Sequence, residues 1–272
     1  MQYCVKLGSA MPEVCRLGLA TRGGSRLRSR DVECAIARGL NYFNWCGQAD
    51  ALSRTIAALG PERSKIVVAV QFQSRRVADA VREFDGILAE LRTAYLDIAT
   101  LYYVESQEEW RKIISPGGAM EYLVAQKQAG RLHRIGLTSH QRRLAAGWAK
   151  TGFLDLLMIR YNAAHRGAER DIFPVTSRRK LPVVTFTGLR WGALLKSTTE
   201  DPPGYQPPMP RDCYRFCLAN PQVSVALAAP SDRHELEHDL ALLDDWRVPS
   251  RTELEAIRGH GDRVKRHAGV FC

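Results

Sequence analysis

Residues 65–72, KIVVAVQF, form a nearly unbroken apolar run of strand length. A strand with one wet face alternates apolar and polar residues, so a run of this kind has to be covered on both faces. That is the condition of a parallel sheet flanked by helices. Further strands are predicted at 16–21, 41–45, 96–102, 133–138, 153–161, 182–186 and 223–228, each a short stretch rich in β-branched or aromatic residues. Segments of helical period separate them: 31–39, 50–59, 75–92, 107–114, 120–128, 141–150, a region around 168–179, 212–218 and a stretch ending at 243. Asp31 is read as the cap of the first. Val77, Val81, Phe84, Leu88 and Leu91 mark one stripe of the 75–92 helix.

Eight strands alternating with helices predict a (β/α)8 TIM barrel, a single α/β domain over residues 1–272. An N-terminal hairpin precedes it, and an extra C-terminal helix at 253–264 follows. The length of 272 residues suits such a barrel, and no linker divides the chain. Barrel sites form at the carboxyl ends of the strands. The search for function therefore narrows to Thr21, Asn44 to Gln48, Gln71 to Gln73, Tyr102 to Glu105, Thr138 to His140, Arg160 to His165, Phe186 to Trp191 and Ala229 to Arg233.

Composition removes several classes. No run of about 18 apolar residues is present, so no membrane partner is expected, and residues 1–10 lack the pattern of a secretory signal. The expected location is the cytoplasm. The formal net charge is +10, and all but eight of the 39 basic residues are Arg. These are scattered in short clusters, not interleaved with stacking aromatics, so nucleic acid is not the expected partner. A small anionic ligand gripped by Arg is. Seven cysteines in no scaffold spacing read as reduced thiols. Cys213 and Cys217 lie one helical turn apart without a second ligand pair nearby, so no metal site is assigned. The GGS stretch at 23–25 lacks the Lys and spacing of a phosphate loop.

The order of fragments at the strand ends resembles the aldo/keto reductase superfamily: RLGLAT at 16–21, GLNYFN at 39–44, YLDIATLYY at 95–103, GRLHRIGLTS at 130–139, YN at 161–162, WGALL at 191–195 and VSVALAAPSDRHELEHDL at 223–240. The resemblance covers nearly the whole chain. It implies a barrel that binds a nicotinamide cofactor, usually NADPH, without a Rossmann domain and reduces carbonyls by hydride transfer. Family members carry Asp after the second strand with a proton-donating Tyr five residues on, Lys at the end of the third strand and His at the end of the fourth. The Lys, held by the Asp, lowers the Tyr pKa so that it protonates the developing alkoxide. This chain has Asn44, Ala49, Gln71 and Tyr102 at those places, a departure that puts the usual proton chemistry in doubt. Replacing both members of an ion pair by amides leaves two groups able to bond each other, where replacing one strands a charge.

The catalytic candidates are accordingly Asn44, Gln71, Tyr102 and His140, with an unassisted Tyr102 expected to ionise near 10. For the cofactor the candidates are Thr21 at the end of the first strand, Thr138 and Ser139, which the resemblance places near the carboxamide where Ser-Asn is usual, and Phe186 as a stacking face. Ser231 and Arg233 meet a 2′-phosphate at a helix start, and Asp239, with His238 competing, lies at the adenine. Met158 replaces a usual Gln. Trp45, Tyr103, Arg160 and Arg190 are the substrate-facing candidates. His165 and Arg166 stand in the same cationic cluster, for which pairing with Glu169 and Asp171 at the rim is the alternative. Cys46, just past the second strand, has no activating partner visible in the sequence. Two readings stay open: an NADP(H)-binding oxidoreductase with a non-standard site, or a barrel that does not reduce.

Overall fold

The computed structural model describes residues 1–8, 11–22 and 24–267, which leaves Gly23 of the GGS stretch and Cys272 outside it. The chain opens with an antiparallel pair, β1 (Cys4–Lys6) and β2 (Glu13–Cys15). Eight strands follow: β3 (Leu17–Ala20), β4 (Tyr42–Trp45), β5 (Val67–Phe72), β6 (Leu96–Leu101), β7 (Leu132–Thr138), β8 (Leu156–Arg160), β9 (Val183–Phe186) and β10 (Val225–Ala228). They run parallel in sequence order, and β10 pairs with β3 to close the barrel. Around it lie α1 (Ser29–Ala37), α2 (Ala51–Ala58), α3 (Val77–Leu91), α4 (Gln107–Ile114), α5 (Ala119–Gln128), α6 (Arg142–Trp148), α7 (Ala168–Asp171), α8 (Phe173–Arg179), α9 (Pro210–Ala219), α10 (Arg233–Asp244) and α11 (Arg251–His267).

Side-chain alternation sorts the strand residues into two cores. Tyr42, Val67, Ala69, Ile98, Leu156, Met158, Val184, Val225 and Leu227 point inward and pack with Leu7, Met11 and Val14 of the first hairpin. The hairpin thus closes the floor at the amino ends of the strands. Phe43, Trp45, Val68, Val70, Phe72, Ala99, Leu101, Leu137, Leu157 and Ile159 point outward into the shell beneath the helices. Both faces of each strand are covered, which is why β6 is buried at every position.

Local chemistry accounts for most element ends. Asp50 caps α2, accepting from the Ser53 N–H at 2.9 Å while Ser53 Oγ accepts from the Asp50 N–H at 3.0 Å. Asp31 is not the cap of α1. It sits one turn inside and accepts from the Arg28 N–H at 2.8 Å. Val81 lies at the wet edge of α3, whose buried stripe is Ala80, Phe84, Ile87, Leu88 and Leu91. The single helix expected at 168–179 is broken into α7 and α8, because Pro174 has no N–H to give and sits in the first turn of α8. Among the described residues no helix is long and apolar enough to cross a membrane, and no group of three or more His, Cys, Asp or Glu could hold a metal.

Candidate functional site

Register brings the candidates to one level at the carboxyl end of the barrel. Asn44 lies beside Ala20 and Ala69, Gln71 beside Thr100, Thr138 beside Met158, and Arg160 beside Phe186. By alternation with the inward core, Asn44, Gln71, Thr100, Tyr102, Thr138, Arg160 and Phe186 all face the barrel interior. Asn44, Thr100 and Thr138 are fully buried, yet Asn44 Oδ1 and the two threonine hydroxyls have no hydrogen-bond partner, and neither does the Thr21 hydroxyl. Buried polar atoms are nearly always satisfied, so these four oxygens, closed off from solvent near the strand ends, are exceptions that the surrounding side chains leave without a partner. The amide pair that the sequence allows between Asn44 and Gln71 is not made through Asn44 Oδ1.

Above this level lies a run of rings. Tyr102 and Tyr103 stand 4.0 Å apart between centroids, Tyr103 and His140 4.4 Å, and His140 and Phe186 6.1 Å edge to face. Tyr103 holds a left-handed backbone at φ 46°, which turns the chain over the strand end. Burial, a hydrogen bond with Tyr103 and the nearby Cys46 push the Tyr102 hydroxyl well above its ordinary range, away from the acidity of a tuned donor. The His140 N–H of the backbone donates to Glu105 at 2.8 Å, and the ring nitrogen Nδ1 lies 3.4 Å from the same carboxylate. Burial and the Arg160 charge outweigh Glu105 and push His140 down, so the imidazole is neutral at pH 7. Ala49, where a proton-donating Tyr is usual, is exposed at the entry to α2 and has no ionisable group.

The cationic side of the mouth is built from the ends of β8 and β9. Arg190 is buried, with Nη1 3.2 Å from His165 Nδ1. Burial and the charges of Arg190 and Arg160 push His165 down to about 4. Arg160 is itself lowered, first by burial and also by Arg190. Asn162 fixes the turn between them: Oδ1 accepts from the N–H groups of Ala164 and His165, each at 2.9 Å, and Nδ2 donates to the Thr187 carbonyl at 2.7 Å. Arg166 leaves this cluster. It pairs with Asp262 at 2.8 Å on α11, while Glu169 is taken by Tyr161 and Arg258.

Beside the mouth a groove of about 300 Å³ runs between the loop after β9 and the first turns of α10. Arg22, Gly188, Trp191, Tyr214, His238 and Asp239 are among its walls. Thr187, Arg190 and Trp191 all have positive φ, at 60°, 49° and 51°. Three non-glycine residues in the left-handed region within five positions make this wall strained, a feature concentrated at ligand clamps. At the far end Asp239 is buried against the Tyr214 hydroxyl, which bonds it, and burial pushes the carboxyl up to about 7.

Several candidates lie elsewhere than expected. Trp45 points outward into the shell, 2% exposed, with Nε1 donating to the Gln48 carbonyl at 2.8 Å, so it does not face a substrate. Parity decides this, since Asn44 and Trp45 are consecutive and only one can point in. Arg233 is drawn from the groove to Glu237 at 2.7 Å and Asp31 at 3.5 Å. Its place is taken by Arg22, whose Nη2 donates to Ser231 Oγ at 3.1 Å. The cap of α10 is Asp232, not Ser231. The Ser139 hydroxyl is used by its own turn, accepting from the Gln141 N–H at 3.0 Å. Thr100, Arg22, Glu105 and Tyr214 had no signal in the sequence beyond their nearness to strand ends or helix starts.

No protein-family model matches the sequence, and no curated protein does. Solved structures do match. An aldo-keto reductase from Bacillus halodurans, in its holo form, superposes with a TM-score of 0.76 over 100% of this chain and 98% of its own, at 17% identity. An aldo-keto reductase from Klebsiella pneumoniae in complex with NADPH gives 0.72 over 92% of both chains at 17% identity. A glycerol dehydrogenase from Gluconobacter oxydans gives 0.73 over 97% and 96% at 15% identity. The chain shares the fold of the aldo-keto reductases along its whole length.

Proposed function

We propose that this chain, with the fold of the aldo-keto reductases, is an oxidoreductase of their type that binds NADP(H) and works through a non-standard active site. The observation that carries the reading is the groove, which joins Asp239, Tyr214 and Arg22 to the strained Thr187 to Trp191 wall, a wall that begins directly after Phe186 at the end of β9. A nicotinamide cofactor has the matching parts: an adenosine end, a pyrophosphate and a flat ring. Asp239 would meet the adenine end, Arg22 and Ser231 the phosphates, and Phe186 the ring. The unpartnered oxygens of Asn44 and Thr138 lie buried near the same strand ends. When bound, the cofactor supplies the hydride.

The protein's own contribution differs from that of an acid pulled down by a neighbouring Lys. With Asn44, Gln71 and Ala49 at the altered positions, Tyr102 acts as a neutral hydrogen-bond donor that orients a carbonyl, and neutral His140 is a second donor beside it. Arg160 and Arg190 bias the mouth toward an anionic substrate. A second reading, a barrel that binds without reducing, is favoured by the Tyr102 hydroxyl being pushed away from acidity. Fluorescence titration with NADPH and NADH separates the two from the absence of any cofactor function. Saturation below the millimolar range, weakened by Phe186→Ala and Arg22→Ala, supports cofactor binding. No saturable binding of either nucleotide sinks the oxidoreductase reading, and binding without carbonyl reduction selects the second.

A further inference from the structure

We infer that Cys4 and Cys15 are a redox-active pair that closes into a cross-strand disulfide at the floor of the barrel. The two residues lie directly opposite each other in the β1–β2 hairpin. One step along, the Arg16 N–H donates to the Tyr3 carbonyl at 3.0 Å, which marks Tyr3 and Arg16 as a hydrogen-bonded pair. Antiparallel ladders alternate, so Cys4 and Cys15 are the non-hydrogen-bonded kind, with Cα atoms about 4.5 Å apart and side chains on one face. The Cys15 N–H agrees, because it turns from β1 to donate to Asn41 Oδ1 at 2.7 Å. Disulfides span Cα separations of roughly 4.4–6.8 Å, so closure needs side-chain rotation and little backbone movement. Both thiols are free, and each lies within the electrostatic reach of the other and of Tyr3.

Access orders the chemistry. Cys4 is half-buried and Cys15 is 1% exposed, so Cys4 reacts first. Its thiolate attacks one sulfur of glutathione disulfide, breaking that S–S bond and releasing one glutathione thiolate. The Cys15 thiolate then attacks the Cys4 sulfur of the mixed disulfide and releases the second. Two protein thiols lose two protons and two electrons, and one glutathione disulfide becomes two glutathiones. Burial raises both thiol pKa values, so closure is slow at neutral pH and quickens toward pH 9. The bridge would clip the hairpin that carries Leu7, Met11 and Val14 into the inner core. Cys213 and Cys217 form no such pair, being fully buried along one side of α9 where no oxidant reaches.

The test is incubation of the full chain with glutathione disulfide at pH 8.5, followed by peptide mapping under non-reducing conditions. The expected result is a 4–15 linked peptide, abolished in Cys4→Ala and Cys15→Ala, and a Tm raised by about 5 °C that dithiothreitol reverses. Cys4→Ala leaves the core thiol in place, so it stays folded even where Cys15→Ala does not. Both cysteines remaining free to alkylation in unfolding buffer, a persistent glutathione adduct, or a bridge from either to another cysteine would each overturn the inference.

Discussion

Asn in place of Asp239 should stabilise the protein, by a margin that is absent below about pH 4, grows from there to about pH 7 and is complete above it. Asp239 is 2% exposed, and burial holds its carboxyl protonated up to about 7, against 3.8 for an ordinary aspartate. Below about pH 4 the folded and unfolded chains both carry the proton, and the residue has no effect on stability. Between 4 and 7 the unfolded chain has released the proton while the folded one keeps it, so stability falls as pH rises. Above 7 the loss is complete. At 1.36 kcal/mol per pH unit, the interval from 3.8 to about 7 amounts to about 4 kcal/mol. The Tyr214 hydrogen bond survives in Asp239→Asn, because the amide oxygen accepts it as the carboxyl does. Thermal unfolding of both proteins from pH 4.5 to 8.5 should show Tm curves that nearly meet at the acid end and separate by roughly 8 °C at pH 8. A variant destabilised throughout, or a gap that does not change with pH, refutes the argument that burial rather than hydrogen bonding rules this carboxyl.

Gly261→Ala should destabilise by at least 2 kcal/mol, about the cost of an overpacked contact, because its Cβ would stand 2.4 Å from the Ala163 carbonyl; urea unfolding measures it. Asp97→Asn strands Arg63, its 2.6 Å partner in a pair less than a tenth exposed on either side, and should cost about 3–5 kcal/mol in the same assay. His165→Gln should raise Tm only below about pH 6.5. The unfolded chain takes up a proton there that folded His165, held down to about 4, refuses, so the gain is absent at pH 8. Tyr102→Phe should leave the pH profile of any carbonyl reduction unchanged while lowering kcat/KM by about tenfold, the worth of one orienting hydrogen bond. A lost basic limb in that profile would show instead that Tyr102 donates a proton.

The barrel was legible because covered strands announce themselves: KIVVAVQF needs two dry faces, and eight such runs leave few architectures open. Strand ends also located the mouth, since Asn44, Gln71, Tyr102, Thr138, Arg160 and Phe186 arrive there by parity alone. What stayed hidden was orientation at the margins of that rule. Trp45 sits one residue from Asn44 and therefore faces the other way. Arg233 carries the expected charge at the expected helix start, but Glu237, one turn along α10, and Asp31 on α1 draw it off, and nothing local reveals a partner 202 positions earlier. Arg22 fills the gap for the same reason in reverse, by reaching Ser231 across the closing seam of β3 and β10. Pro174 was visible in the sequence, yet the helical pattern around it concealed that it ends one helix and starts another.

α11 gives these arrangements an order in time. Its Gly261 presses on Ala163, Asp262 holds Arg166, His260 Nε2 lies 3.0 Å from the Leu194 carbonyl, and Arg263 pairs with Asp201 at 2.6 Å. One helix thus ties down the loops that follow two neighbouring strands, those carrying His165 and Arg190. A ribosome releases β8 by residue 160 and β9 by residue 186, whereas α11 begins only at residue 251. The ties that α11 adds to the cationic half of the mouth are therefore absent while the barrel is being made, and a chain cut before residue 251 should close its sheet without them.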